Sequence, residues 1–196
     1  MADHYFSSKP ASKPRPIEFK AVLRGMELGF ISSSGVFSAG KVDFGTKLLA
    51  KRMQVPEKAK VLDLGCGIGV LGIVAAHLTS GEVYMTDVNE RACKLAQKNS
   101  KGLKNVKVLC GNLYEPVKGM KFDAILLNPP QTAGKKVCFE MIEGSRAHLE
   151  KGGCLQLVAR HNKGGEVLGK KMLEVFGNME FLAKQGGYRI YFSKNS

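Results

Sequence analysis

The chain of 196 residues carries 30 Lys and Arg against 17 Asp and Glu, a formal net charge of +13, with 44% hydrophobic residues. That balance suits one domain with a sizeable core and excludes a disordered chain. No apolar run approaches the length that spans a bilayer, and no membrane association is expected. The opening stretch "MADHYFSSKPASKPRP" lacks the apolar segment of a secretory signal. Residues 1–16 are expected to be a flexible polar arm, ordered only where Tyr5 and Phe6 dock, and the protein is expected to be cytoplasmic. Five scattered cysteines without a C-x-x-C pair argue against zinc or a disulfide framework, and no metal is expected.

Residues 17–196 are expected to form one domain. "EFKAVLRGMELGF" (18–30) alternates around Arg24-Gly25 as a hairpin does, and "VDFGTKLLAKRM" (42–53) has helical spacing with Thr46 near its start. After Pro56 the pattern becomes strand and helix in turn. "AKVLDLG" (59–65) is a buried strand, "VLGIVAAHL" (70–78) a helix, "EVYMTD" (82–87) a strand and "NERACKLAQKNS" (89–100) a helix. "VKVLCGN" (106–112) and "FDAILLN" (122–128) are strands, and residues 136–153 are expected to be a helix stopped by Gly152-Gly153. A strand at 154–160, a helix near 165–176 and strands near 179–184 and 188–193 complete the chain. Such alternation predicts an α/β fold of Rossmann-like type. Its parallel strands end in an antiparallel hairpin, because the "KQGG" link is too short for a crossover.

"VLDLGCGIGVLG" (61–72) runs from strand through a glycine-rich turn into a helix. Gly65, Gly67 and Gly69 permit a tight turn and close approach of a ligand. Asp87 closes the next strand 18 residues after Gly69, where a carboxylate can accept ribose hydroxyls; a structural turn with Asp87 capping a helix is the plainer alternative. The spacing G-C-G-I-G departs from the dinucleotide pattern, and Asp63 puts negative charge beside the turn. That charge disfavours a pyrophosphate and suits a cationic ligand bearing an amino group.

"VLDLGCGIG" together with Asp87, Asn112 and "NPP" (128–130) resembles the class I methyltransferases that use S-adenosylmethionine. The resemblance covers nearly the whole chain and implies a seven-stranded sheet with a final antiparallel hairpin. It implies that Asp87 binds the ribose, that Val88 packs on the adenine and that Asn112 with Leu113 lines the adenine edge. Asp63, Cys66 and the glycines Gly65, Gly67 and Gly69 would surround the methionine part. "GVFSAGKVDFGTKLL" (35–49) further resembles the small-domain family related to ribosomal RNA guanine-N2 methyltransferases. On that likeness residues 17–55 close over the cofactor, and Phe37, Ser38, Asp43, Gly45 and Thr46 border its methionine end.

Asn128 ends an apolar strand and is followed by two prolines. An exocyclic amine on a base is a poor nucleophile, because its lone pair is delocalised. The Asn128 side-chain oxygen and the Pro129 carbonyl can each accept one of its N–H groups and aim the lone pair at a methyl donor. Asn128 would thus touch both substrate and cofactor. Pro129 and Pro130 have fixed φ and offer no competing donor. A turn before two prolines is the plainer reading of the same residues. Amino-methyltransferases often carry an aromatic residue after N-P-P; here it is Gln131.

Residues 1–60 carry 11 Lys and Arg against 5 Asp and Glu, residues 61–144 carry 10 against 8, and residues 145–196 carry 9 against 4. The excess sits at both ends and suits a polyanion, so RNA is the expected partner, with Gln131, Lys135, Arg160 and Lys163 as candidate contacts. The expected activity is methylation of an exocyclic amino group of RNA, guanine-N2 of ribosomal RNA foremost. A protein glutamine N5-methyltransferase and an RNA-binding module without catalysis are the alternatives. A dehydrogenase is disfavoured by the glycine spacing. A monomer or weak homodimer is expected.

Overall fold

The computed structural model describes residues 13–38, 40–130 and 134–196. The first two strands, β1 (Pro16–Leu23) and β2 (Met26–Ser33), pair antiparallel across Arg24-Gly25. Both turn residues take left-handed φ, 50° and 78°, the geometry that matches strand twist in a two-residue hairpin. Arg24 then donates from Nε to the Ala50 carbonyl (2.8 Å), fixing the hairpin to α1 (Phe44–Arg52). Tyr5 and Phe6, expected to dock the arm, lie outside the described residues.

The remainder alternates strand and helix: β3 (Val61–Leu64), α2 (Val70–Ala76), β4 (Val83–Asp87), α3 (Glu90–Asn99), β5 (Val106–Cys110) and β6 (Phe122–Leu127). It continues through α4 (Lys135–Ala147), β7 (Leu149–Arg160), α5 (Gly165–Phe176), β8 (Glu180–Gln185) and β9 (Tyr188–Lys194). Seven strands form one sheet in the order β5-β4-β3-β6-β7-β9-β8. β3 to β7 run parallel, and β9 enters antiparallel between β7 and β8.

Alternate residues of each strand face opposite sides. Val61 and Met85 pack with Leu49, Leu71 and Leu95 of α1, α2 and α3, while Leu62 and Ile125 pack with Ile142 and Met172 of α4 and α5. Apolar strands buried on both faces are what such a sheet requires. Chain order reverses between β3 and β6, and ligands bind beyond the carboxyl ends of strands at such a switch point.

One expected boundary is wrong. α4 stops at Ala147, and Gly152-Gly153 lie inside β7. Leu149 already pairs with Phe122, and the register shifts before Cys154 meets Ala124. A Cβ on Gly153 would stand 2.9 Å from the Phe122 carbonyl oxygen, so the glycine permits a bulge of one strand against the next rather than ending a helix.

Candidate active site

Leu64 of β3 pairs with Thr86 of β4 on one side and Leu127 of β6 on the other. The residues that follow, Gly65, Asp87 and Asn128, therefore emerge side by side at the carboxyl edge of the sheet. A cavity of about 260 Å³ opens there. Its lining includes Phe37, Ser38, Asp43 and Thr46 from the N-terminal segment, and Asp63, Gly65, Cys66 and Gly67 from the glycine turn. Asp87, Val88, Asn112 and Leu113 also belong to the lining, as do Asn128, Pro129 and Pro130 just beyond the end of β6.

The glycine turn is held from β4. Gly65 N–H and Cys66 N–H both donate to the Thr86 carbonyl, at 2.8 and 2.9 Å, and Gly67 N–H donates to Asp87 Oδ2 at 2.8 Å. Gly67 has φ 55°, and a Cβ there would meet open space, so this turn presents bare backbone to the cavity. Asp87 Oδ1 accepts from Asn89 N–H at 2.8 Å. Each carboxylate oxygen is thus oriented by one amide and keeps lone pairs for a ligand hydroxyl. Asp87 does not cap α3; Asn89 does, accepting from Arg91 and Ala92 N–H. Burial raises the Asp87 carboxyl above its ordinary range, against the pull of these amide donors.

Asp63 is 1% exposed, and its Oδ2 accepts from Gly72 N–H at 2.8 Å. Burial pushes its carboxyl up to about 7, opposed by that amide and assisted by the Asp87 charge. A cationic group beside Asp63 would restore its ionised form.

Asn128 is tied to the start of α1. Asp43 caps that helix: its Oδ1 accepts from Thr46 N–H at 3.1 Å, and its Oδ2 accepts from the Thr46 hydroxyl. With its proton committed to Asp43, Thr46 Oγ1 can only accept, and Asn128 Nδ2 donates to it at 2.8 Å. Asn128 Nδ2 also lies 3.5 Å from Asp43 Oδ1. The network fixes which way the amide faces, with NH2 toward α1 and Oδ1 left as acceptor.

Among the described residues three non-glycines have left-handed φ, and two of them, Ser38 (57°) and Leu113 (45°), line the cavity. Such backbone costs of order 1–3 kcal/mol and persists where the surroundings enforce it. Carbonyls of the segment before Ser38 are gripped by α3 and its cap: Arg91 Nη1 donates to Ser34 O at 2.6 Å and Asn89 Nδ2 to Gly35 O at 3.1 Å.

Several expected contacts fall elsewhere. Gly45 does not line the cavity; a Cβ there would lie 3.0 Å from Tyr188 Cε1, so it serves close packing of α1 on β9. Gly69, the left-handed N-cap of α2, is likewise absent from the lining and packs on Met85 and Ala96. Lys135, Arg160 and Lys163 are exposed and outside the cavity, and Gln131 lies outside the described residues. Lys41 and Met141, not anticipated, do line it; nothing set Lys41 apart from the other lysines, and Met141 reaches in from α4.

A cavity with apolar walls, three carboxylates and bare glycine backbone fits an adenosine bearing a positively charged tail. A family model described as the methyltransferase small domain matches residues 27–192. The chain is 37% identical over 199 residues to an uncharacterized protein, YbxB, of Bacillus subtilis, covering 99% of each. It is 35% identical over 175 residues to ribosomal RNA small subunit methyltransferase C of Haemophilus influenzae, covering 86% of this chain and 52% of that protein. Its structure resembles a 16S rRNA guanine-N2 methyltransferase of T. thermophilus, solved with S-adenosylmethionine (AdoMet) and guanosine, with a TM-score of 0.82 and 29% identity. That match covers 94% of this chain and 51% of the other. The chain thus spans about half the length of the named ribosomal RNA enzymes it matches. It belongs to the methyltransferase small-domain family, whose methyl donor is S-adenosylmethionine.

Proposed function

We propose that this protein is an RNA methyltransferase acting on an exocyclic amino group, guanine-N2 of ribosomal RNA foremost. The observation that carries the reading is the locked amide of Asn128, an acceptor of fixed orientation in the cavity lining beside the glycine turn. The relatives named as ribosomal RNA enzymes and the net charge of +13 support RNA as substrate.

S-adenosylmethionine, when bound, supplies an electrophilic methyl group on a sulfonium. Asp87 would hold the ribose hydroxyls, Val88 and Leu113 would flank the adenine with Asn112 at its edge, and Asp63 with the backbone at Gly65 to Gly67 would meet the methionine part. Asn128 Oδ1 and the Pro129 carbonyl would accept the two N–H groups of the substrate amine. Those bonds hold the nitrogen lone pair toward the donor, and orientation of this kind can lower a barrier by up to roughly 7–11 kcal/mol. Pro129 and Pro130 present no N–H, so neither competes as donor. The nitrogen loses a proton only after it is methylated, when it has become acidic, so no strong base is needed beside Asn128.

Labelled S-adenosylmethionine offered with unmodified ribosomal RNA and, separately, a glutamine-bearing release factor tests the reading. Label in RNA, released on digestion as a methylated guanosine, is the expected result. Label in the protein fraction would instead establish the glutamine N5 reaction, and RNA binding without label an inactive binding module.

A further inference from the structure

We propose that Phe44 and Tyr188, with Arg160, form a stacking platform beside the active site for an unpaired base flanking the target nucleotide. Phe44 is the first residue of α1, follows the Asp43 cap, and is 44% exposed. Its ring centroid lies 5.3 Å from that of Tyr188, with the planes inclined at 44°. A Cβ on Gly186 would come within 2.9 Å of Phe44 Cζ, so the hairpin turn between β8 and β9 is kept bare beneath the ring. Arg160 and Tyr188 are a cross-strand pair of β7 and β9, and the Arg160 guanidinium stands 5.9 Å from the Tyr188 ring centroid.

The platform adjoins the cavity without lining it. Thr46, two residues beyond Phe44, holds the Asn128 amide, whereas Phe44, Tyr188 and Arg160 are outside the lining. A base stacked there belongs to a neighbour of the nucleotide being modified. Lys47, one turn along α1 from Phe44, is exposed, and neither it nor Arg160 has a carboxylate partner among the described residues. The two basic ends of the sequence meet at this place, since α1 lies in residues 1–60 and β7 and β9 in residues 145–196. The exposed Phe44 ring, backed by the half-buried Tyr188 and flanked by cations without carboxylate partners, suits single-stranded RNA, whose bases stack on aromatic and guanidinium planes. An acidic protein surface would use the cations and leave the rings idle. A target amine can reach Asn128 only once its base has left its stack, which exposes the neighbouring base as well.

This inference rests on RNA being the substrate, and the experiment separates the two. A labelled single-stranded oligoribonucleotide of about 12 nucleotides, within the usual range of such sites, is titrated by fluorescence anisotropy. Phe44→Ala is expected to weaken binding about tenfold, Phe44→Leu nearly as much, and Phe44→Tyr little, because stacking needs the ring. The KM for RNA rises with the Kd, while the affinity for S-adenosylmethionine holds. Arg160→Ala is expected to weaken binding less and to lower the slope of log Kd against log salt by about one. Wild-type affinity in Phe44→Ala, or full affinity in Phe44→Leu, overturns the platform while leaving RNA methylation standing. So does a shift in self-association on sedimentation with RNA binding unchanged, which would mean that the patch joins two copies of the chain. No RNA binding by the wild type, with label in protein, defeats the proposed substrate and the platform together.

Discussion

Under the proposed function the cavity has a donor side and an acceptor side, and the two are built in different ways. On the donor side, the glycine turn and the strand end that holds it lie within 25 residues of sequence, from Asp63 to Asp87. On the acceptor side, Asn128 is set by Thr46 and Asp43, 82 and 85 residues earlier. A ligand that recurs unchanged can be met by a contiguous motif. An acceptor amine has to be aimed, and aiming needs an amide that cannot flip, which here requires a helix cap from a distant segment.

That contrast predicts separable defects. Asn128→Ala removes the acceptor and is expected to lower kcat on RNA by about 10²–10³-fold, with the S-adenosylmethionine Kd within about threefold of wild type in calorimetry. Comparable loss in both constants would mean that the two walls are not distinct. Asp87→Ala is expected to do the converse, raising the cofactor Kd about 10²-fold, since hydrogen bonds to a charged group are worth roughly 1.5–3 kcal/mol each. Thr46→Val removes the 2.8 Å partner of Asn128 Nδ2 and leaves it only the 3.5 Å contact with Asp43 Oδ1, a looser hold on the amide. A fall of about tenfold in kcat is expected, restored by Thr46→Ser, with the cofactor Kd held. Failure of serine to restore turnover would show that Thr46 matters for shape and not for its hydroxyl.

The smallest effect is a pH dependence confined to the donor wall. Asp63 has its carboxyl pushed up to about 7, so ligand binding that requires the carboxylate must pay for ionisation below that pH. Cofactor affinity is expected to weaken by up to tenfold per unit as pH falls from 7 toward 5, and the slope should disappear in Asp63→Asn. The same raised value means that the protein without cofactor binds this proton more tightly folded than unfolded. The sign follows: this group's contribution to stability declines as pH rises from about 4 through 7, and a melting series read by calorimetry or circular dichroism checks it.

The same division explains what the sequence disclosed. The parallel strands were legible because their apolar runs need burial on both faces, and the glycine turn because its strand, spacing and Asp87 are adjacent. Asn128 stood out through the two prolines after it. Its lock on Thr46 did not, because a hydrogen bond across 82 residues leaves no local pattern. Asp43 and Thr46 were singled out only through the family likeness, and there as neighbours of the cofactor. That Gly45 and Gly69 lie outside the cavity lining was not legible for a related reason: a glycine needed for contact with Tyr188 or Met85 looks the same in sequence as one needed by a ligand. The Gly-Gly pair at 152–153 misled because a helix stop and a β-bulge favour the same residue.

A crystal of the protein with an S-adenosylmethionine analogue and guanosine bears most directly on the orientation of Asn128. The guanine N2 should lie within about 3.2 Å of Asn128 Oδ1, with Nδ2 still donating to Thr46. An amide turned to present its NH2 to the base, or a guanine whose amine rests away from Asn128, would contradict the account.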